Sequence, residues 1–192
     1  MTINNIKLQV KRTNRKTIAI KMEYDGSVTV IAPVNASDFE IERVVTKNAE
    51  WIRSKSEYRK KTTEGKNTEP ISELELEAIR RAAAIILPNR VKEWANRLGI
   101  TYNRVTVKKM FTIWGSCSSK KNINLNCLLM LAPDKVIDYI IVHELAHLKH
   151  MDHSKAFYAF IDANFAYRKE CQRWLKDEGL LIISRARRGI NT

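Results

Sequence analysis

Apolar and polar side chains alternate over residues 6–32. Ile6-Lys7-Leu8-Gln9-Val10, Ile18-Ala19-Ile20-Lys21-Met22 and Val28-Thr29-Val30-Ile31 each keep the period of two of a half-buried strand. Asn14-Arg15-Lys16 can turn the chain between the first two runs, and Asp25-Gly26 is a hairpin signal between the second and third. Pro33 closes this strand-rich unit. The period then lengthens. Ser37 or Asp38 can cap a helix running to about Lys60, with Ile41, Val44, Val45, Ala49 and Ile52 on one stripe. The stretch Thr62 to Thr68 is polar and contains Gly65, so it reads as a linker.

A second helical stretch begins after Ser72, which can form a capping box with Glu75, and ends before Gly99. Pro88 is expected to kink or split it near Leu87. Val105 to Met110 and Asn122 to Leu125 read as strands, with Trp114-Gly115-Ser116-Cys117 between them. Pro133 opens a helix whose apolar stripe is Val136, Ile137, Ile140, Ile141, Leu145 and Leu148. Two shorter helices follow at about 154–164 and 167–178, and Arg185-Ala186-Arg187-Arg188 reads as part of a mobile basic tail. The expected organisation is thus a strand-and-helix unit over 1–61, a linker over 62–69, a main domain over 70–185 and a tail over 186–192.

Composition narrows the class. With 192 residues, 44% of them apolar, the chain can bury a core. No apolar run approaches the roughly 20 residues of a membrane span, and residues 1–5 lead to no expectation of a secretory signal. Three scattered cysteines make no disulfide framework, so a reducing cytoplasm is the expected compartment. The net charge of +13 allows a nucleic-acid partner. It is unevenly spread: +6 over 1–61, +5 over 62–132 and only +2 over 133–192. Its densest piece, Arg53, Lys55, Arg59, Lys60 and Lys61, reads first as a solvated helix face and second as a phosphate-binding one. No zinc-finger, RRM or GXXG pattern accompanies it.

The histidines change the picture. All four, His143, His147, His150 and His153, fall within eleven residues. His143-Glu144-Leu145-Ala146-His147 lies inside the helix that follows Pro133. Residues four apart share a helix face, so two imidazoles can reach one metal, and zinc suits such nitrogen ligands. Glu144 sits about 100° around the helix from His143, beside the metal without ligating it, as a general base requires. A catalytic zinc needs a third ligand. On a continuous helix His150 would lie about 10.5 Å along the axis from His143, too far to share its ion. His153 can return if Met151-Asp152 turns the chain, and His150 is then an outer or solvent-facing residue.

These residues carry a resemblance. Trp114-Gly115-Ser116-Cys117, Ile123-Asn124-Leu125-Asn126, Leu131-Ala132-Pro133, Ile137-Asp138-Tyr139, His143 to Leu148, His153-Ser154 and Phe157 together resemble the YgjP-like zinc metallopeptidase family, itself similar to SprT-like and WLM peptidase domains. The likeness is strongest over about 105–178. It implies an α+β fold: a zincin-like core of helices with a small antiparallel sheet, preceded by the strand-rich unit and its helix. It implies Zn(2+) on His143, His147 and His153, with Glu144 as catalytic base in peptide-bond hydrolysis. It also implies a peptide or protein substrate held at a sheet edge, here expected at Ile123 to Asn126. Gly is absent at His150, and the only later Met is Met151, so a metzincin is not expected.

Other readings follow from the same residues. Tyr158, Tyr167 and Arg168 are candidate oxyanion donors. Asp138, Asp152 and Asp162 are candidates to orient a ligand histidine. Trp114 reads as core or cleft wall, and Cys117 as a small buried side chain or a thiol near the metal. The alternatives to a peptidase are a metal-stabilised nucleic-acid-binding module and a hydrolase of a non-peptide amide.

Overall fold

The computed structural model describes residues 2–3, 6–23 and 26–189, and shows an α+β protein of two compact units, Met1–Thr68 and Glu69–Thr192. Asp25 of the expected hairpin lies outside the described residues.

In the first unit β1 (Thr2–Ile3), β2 (Ile6–Thr13), β3 (Ala19–Met22) and β4 (Val28–Pro33) form one sheet in the order β1-β2-β4-β3. β2 runs parallel to β4, while β3 pairs antiparallel with β4 on its other side. The three runs therefore do not pair in chain order. Helices α1 (Asp38–Lys47) and α2 (Ala49–Thr63) replace the single helix expected there. Ser37 caps α1 in a complete capping box with Glu40. The break falls at Asn48, whose side chain donates to the Val44 carbonyl at 2.8 Å. Ile41, Val45 and Ile52 meet Leu8, Val28, Val30 and Ala32 in a small core.

The second unit opens with α3 (Glu73–Leu98), bounded as expected by the Ser72–Glu75 capping box and a left-handed Gly99. Pro88 does not split it. Ala83, Leu87, Val91 and Ala95 are buried along one stripe, and their packing outweighs the hydrogen bond that Pro88 cannot donate. β5 (Arg104–Lys108), β6 (Gly115–Cys117) and β7 (Asn122–Asn126) form a second sheet in the order β5-β7-β6. This sheet is mixed rather than antiparallel: β5 runs parallel to β7 and β6 antiparallel. Asn126 is fully buried and pins the loop before β6. Its amide donates to the carbonyls of Met110 and Ile113 at 2.7 and 2.9 Å.

A short 3-10 turn, Cys127–Leu131, leads to α4 (Asp134–Ala146). This helix is buried on nearly every side, by Val136, Ile137, Ile140, Ile141, Val142, Leu145 and Ala146 among others, so it is central to the unit. α5 (Lys155–Asn164) and α6 (Arg168–Trp174) follow, then a π-helical turn, Leu175–Gly179, and α7 (Leu180–Arg188). The stretch expected to be a mobile tail is helical to Arg188 and packed, with Ala186 fully buried. Arg185 donates to the Glu69 carbonyl and Arg187 to that of Phe111, both at 2.7 Å. Among the described residues no helix is long and apolar enough to cross a membrane.

Candidate metal centre

His143 and His147 project from the last turn of α4, and the chain leaves that helix at His147. Main-chain bonds from Leu148 to Leu145 and from Lys149 and His150 to Ala146 tighten the exit. Asp152 then accepts from the Ser154 N–H at 3.4 Å, and Ser154 caps α5. This Asx-type turn returns His153 to the end of α4.

Ring nitrogens of His143, His147 and His153 all lie within 4.8 Å of one another. The Nε2 atoms of His143 and His153 are 3.2 Å apart. Nitrogens bound at 2.0–2.1 Å to one tetrahedral ion would sit about 3.3 Å apart, so this donor set fits zinc. The His147 Nδ1–H donates to the His150 carbonyl at 3.2 Å, because a carbonyl can only accept. That fixes the tautomer and leaves the His147 Nε2 lone pair for an ion.

The electrostatics match a cation site. Burial, with His147 and His153 nearby, pushes the His143 pKa down to about 4, and burial first of all also lowers that of His147. Both rings are therefore held in the neutral form that ligates metals. Glu144 is 5% exposed, and burial pushes its carboxyl up to about 8. Its carboxylate lies against the Cα of Gly115, where a Cβ would come within 2.6 Å of Oε1. Only glycine lets β6 and α4 approach so closely.

The structure sorts the other candidates. Cys117 lies outside the cluster of ligand atoms, and burial followed by Glu144 pushes its thiol up to about 11. Trp114 packs on the core, with its ring against Gly179 in the π-helical turn. The Tyr158 ring stacks on His153 at 6.1 Å between centroids. Arg168 lies over Tyr158 and is held by Asp162. Tyr167 is 58% exposed and packs on Phe165 instead.

The three candidate carboxylates bond elsewhere than to the clustered imidazoles. Asp138 pairs with Arg90 and Trp94, Asp152 shapes the turn, and Asp162 binds Arg168. The His150 carbonyl takes the orienting role at His147, which sequence reasoning missed because a main-chain acceptor leaves no residue signature. Gly115 was also missed as a site residue.

The expected substrate edge moves as well. β7, which holds Ile123 to Asn126, is the middle strand and is paired on both sides. The edge strands are β5 and β6, and β6 is the one that lies against Glu144 of α4. Asn126 N–H donates to the Trp114 carbonyl and Ser118 N–H to that of Asn122, so residues 114, 116 and 118 face β7. The main-chain groups of Gly115 and Cys117 thus point to the free side.

The pattern of the YgjP-like metallopeptidase domain matches residues 16–76 and 58–178. The chain belongs to this metallopeptidase family. UTP pyrophosphatase of Escherichia coli (strain K12) is 43% identical over 44 residues. That stretch is 23% of this chain and 26% of the relative, so the match spans about a quarter of the relative's length. Two solved structures are similar in part. The metallopeptidase zymogen jannalysin of Methanocaldococcus jannaschii aligns over 46% of this chain and 92% of its own, with 25% identity and a TM-score of 0.42. The metallopeptidase zymogen abylysin of Pyrococcus abyssi aligns over 49% and 96%, with 23% identity and a TM-score of 0.44.

Proposed function

We propose that this YgjP-like family member is a zinc-dependent peptidase, with His143, His147 and His153 as ligands and Glu144 as general base. The observation that carries the reading is a triangle of ring nitrogens, two of them at the end of α4, with the buried Glu144 side chain on that same helix. Zinc, when bound, supplies a Lewis acid that lowers the pKa of water and polarises a carbonyl. Glu144 accepts the proton of the attacking water and delivers it to the departing amine nitrogen. A cation held by the histidines would favour the ionised form of the Glu144 carboxyl. Gly115 and Cys117 offer main-chain N–H and C=O groups to an extended peptide at the open edge of β6.

A second reading, hydrolysis of a phosphoanhydride, comes from the name of the curated relative. The open strand edge favours the peptide. So does Arg168, whose charge is already committed to Asp162 rather than offered to phosphates. The test uses the full chain loaded with zinc and incubated separately with a mixed peptide library and with UTP. New amino termini are expected, and Glu144→Gln should keep its zinc while hydrolysis falls by about two to four orders of magnitude. Undiminished cleavage by that variant removes Glu144 as the base. Release of pyrophosphate from UTP with the peptides left intact establishes the second reading instead.

A further inference from the structure

Three ligands meet at one point, but they are held very differently. His143 and His147 stand on a buried helix, and His147 also has its bond to the His150 carbonyl. His153 is exposed and stands on a turn beside Met151 and Asp152, which are exposed too. An imidazole there loses rotamer freedom whenever it is held in place for a metal, and that loss weakens binding unless something fixes the ring beforehand.

Aromatic packing supplies the fixing. Phe157 meets the His153 ring edge-on at 4.9 Å, and Tyr158 stacks on it at 26° between planes. The Arg168 guanidinium lies 5.0 Å from the centre of the Tyr158 ring. Arg168 is itself anchored by a bidentate ion pair, Nε and Nη2 to the two Asp162 oxygens, at 2.5 and 2.7 Å. Tyr158 and Asp162 are four residues apart on α5, and Arg168 begins α6. Two helices therefore converge on the loop-borne ligand. The pairing also neutralises the guanidinium, so a cation is present for the aromatic face without a full charge opposing a metal ion.

We propose that Arg168, anchored by Asp162, acts through the Tyr158 ring as a positioning residue for His153, setting the affinity of the metal site. This rests on the reading of His153 as a ligand. The bracing uses the Tyr158 ring face and the Nε/Nη2 edge of the Arg168 guanidinium, and makes no use of the Tyr158 hydroxyl.

The test is the zinc dissociation constant of the full chain, measured by chelator competition, with metal-free melting recorded for each variant. Tyr158→Leu should weaken zinc roughly tenfold and Arg168→Gln roughly two- to fivefold, the scale of one aromatic pair and one cation–π contact. Tyr158→Phe, which keeps the ring, should stay within about twofold of wild type. Because Arg168 works through the ring, Arg168→Gln should cost nothing more in the Tyr158→Leu background. Should Tyr158→Leu melt below the assay temperature, Tyr158→Gln takes its place in the cycle. Wild-type affinity in the ring-deleted variant overturns the proposal, as does an equal Arg168→Gln loss in both backgrounds. His153→Ala separates the two levels: if it binds zinc as tightly as wild type, the ligand assignment itself fails. If it loses zinc while the brace variants do not, only the brace fails.

Discussion

The two units of the chain divide charge from chemistry. Residues 1–61 carry +6, and the first unit holds a cavity of about 980 Å³ whose lining includes Lys7, Arg53 and Lys60. The second unit carries the three-histidine cluster in a segment, 133–192, with a net charge of only +2. The difference is instructive because each unit stands out by a different measure. Charge and cavity volume point to the first. The proposed metal site depends on three nitrogen atoms, and the place of Glu144 on a missing Cβ, which occupy almost no volume. Such a site is better found by donor distances than by size.

This contrast can be strained from both sides. The largest effect should come from one uncharged atom group in the second unit. Gly115→Ala places a Cβ within 2.6 Å of Glu144 Oε1. Overpacking of this kind costs about 1–3 kcal/mol, and displacing a catalytic group by about 1 Å can cost a hundredfold in rate. Peptide hydrolysis should fall by roughly that factor while zinc affinity changes little. Hydrolysis at the wild-type rate would show that Glu144 does not work from this position.

A middle-sized effect should appear in the metal-free protein as a function of pH. Folding raises the Glu144 pKa from 4.5 to about 8, so the folded state keeps a proton that the unfolded chain releases. Stability should therefore decline as pH rises from about 4.5 to about 8. Glu144→Gln lacks this penalty and should melt several degrees above wild type at about pH 8, with the gap closing near pH 5. His143 works in the opposite direction. Its folded pKa of about 4 lies below the ordinary 6.5, so stability falls as pH drops through that interval. Equal melting of the two proteins at about pH 8 would contradict the buried carboxyl. The smallest effect is expected in the first unit. Replacing Lys7, Arg53 and Lys60 by Gln should leave zinc affinity and the hydrolysis of a short peptide within about twofold, since solvent-exposed charges are screened by salt. A tenfold loss would show that the first unit takes part in the chemistry.

How much of this was legible in the sequence depended on what kind of signal each feature leaves. Helix ends with a capping box or a left-handed glycine were readable at Ser72 and Gly99, because side chains there make the bonds. The histidine spacing was readable because α4 is strongly apolar and its period is clear. β6 was not, since Gly115, Ser116 and Cys117 are three small residues without alternation, held by pairing to β7. Strand order in the first sheet was also hidden, because parallel pairing of β2 with β4 is decided by tertiary packing rather than by either strand's own pattern. The break at Asn48 involves neither Gly nor Pro, and Pro88 sits in a helix that does not end there. The helical end to Arg188 was masked by its basic composition, although Leu181, Ile182, Ile183 and Ala186 are its buried residues.

The bond from His147 to the carbonyl of residue 150 has a consequence for variation. Every amino acid carries that oxygen, so the contact survives any exchange of the side chain that leaves the turn intact. A survey that substitutes residues one at a time would score position 150 as dispensable, although its backbone orients the His147 ring. Tolerance to substitution at this place would reflect a role moved onto an atom that mutation cannot remove. Probing it requires altering the peptide bond itself, for instance by an ester in place of the amide that follows His150, which weakens the acceptor and leaves every side chain unchanged.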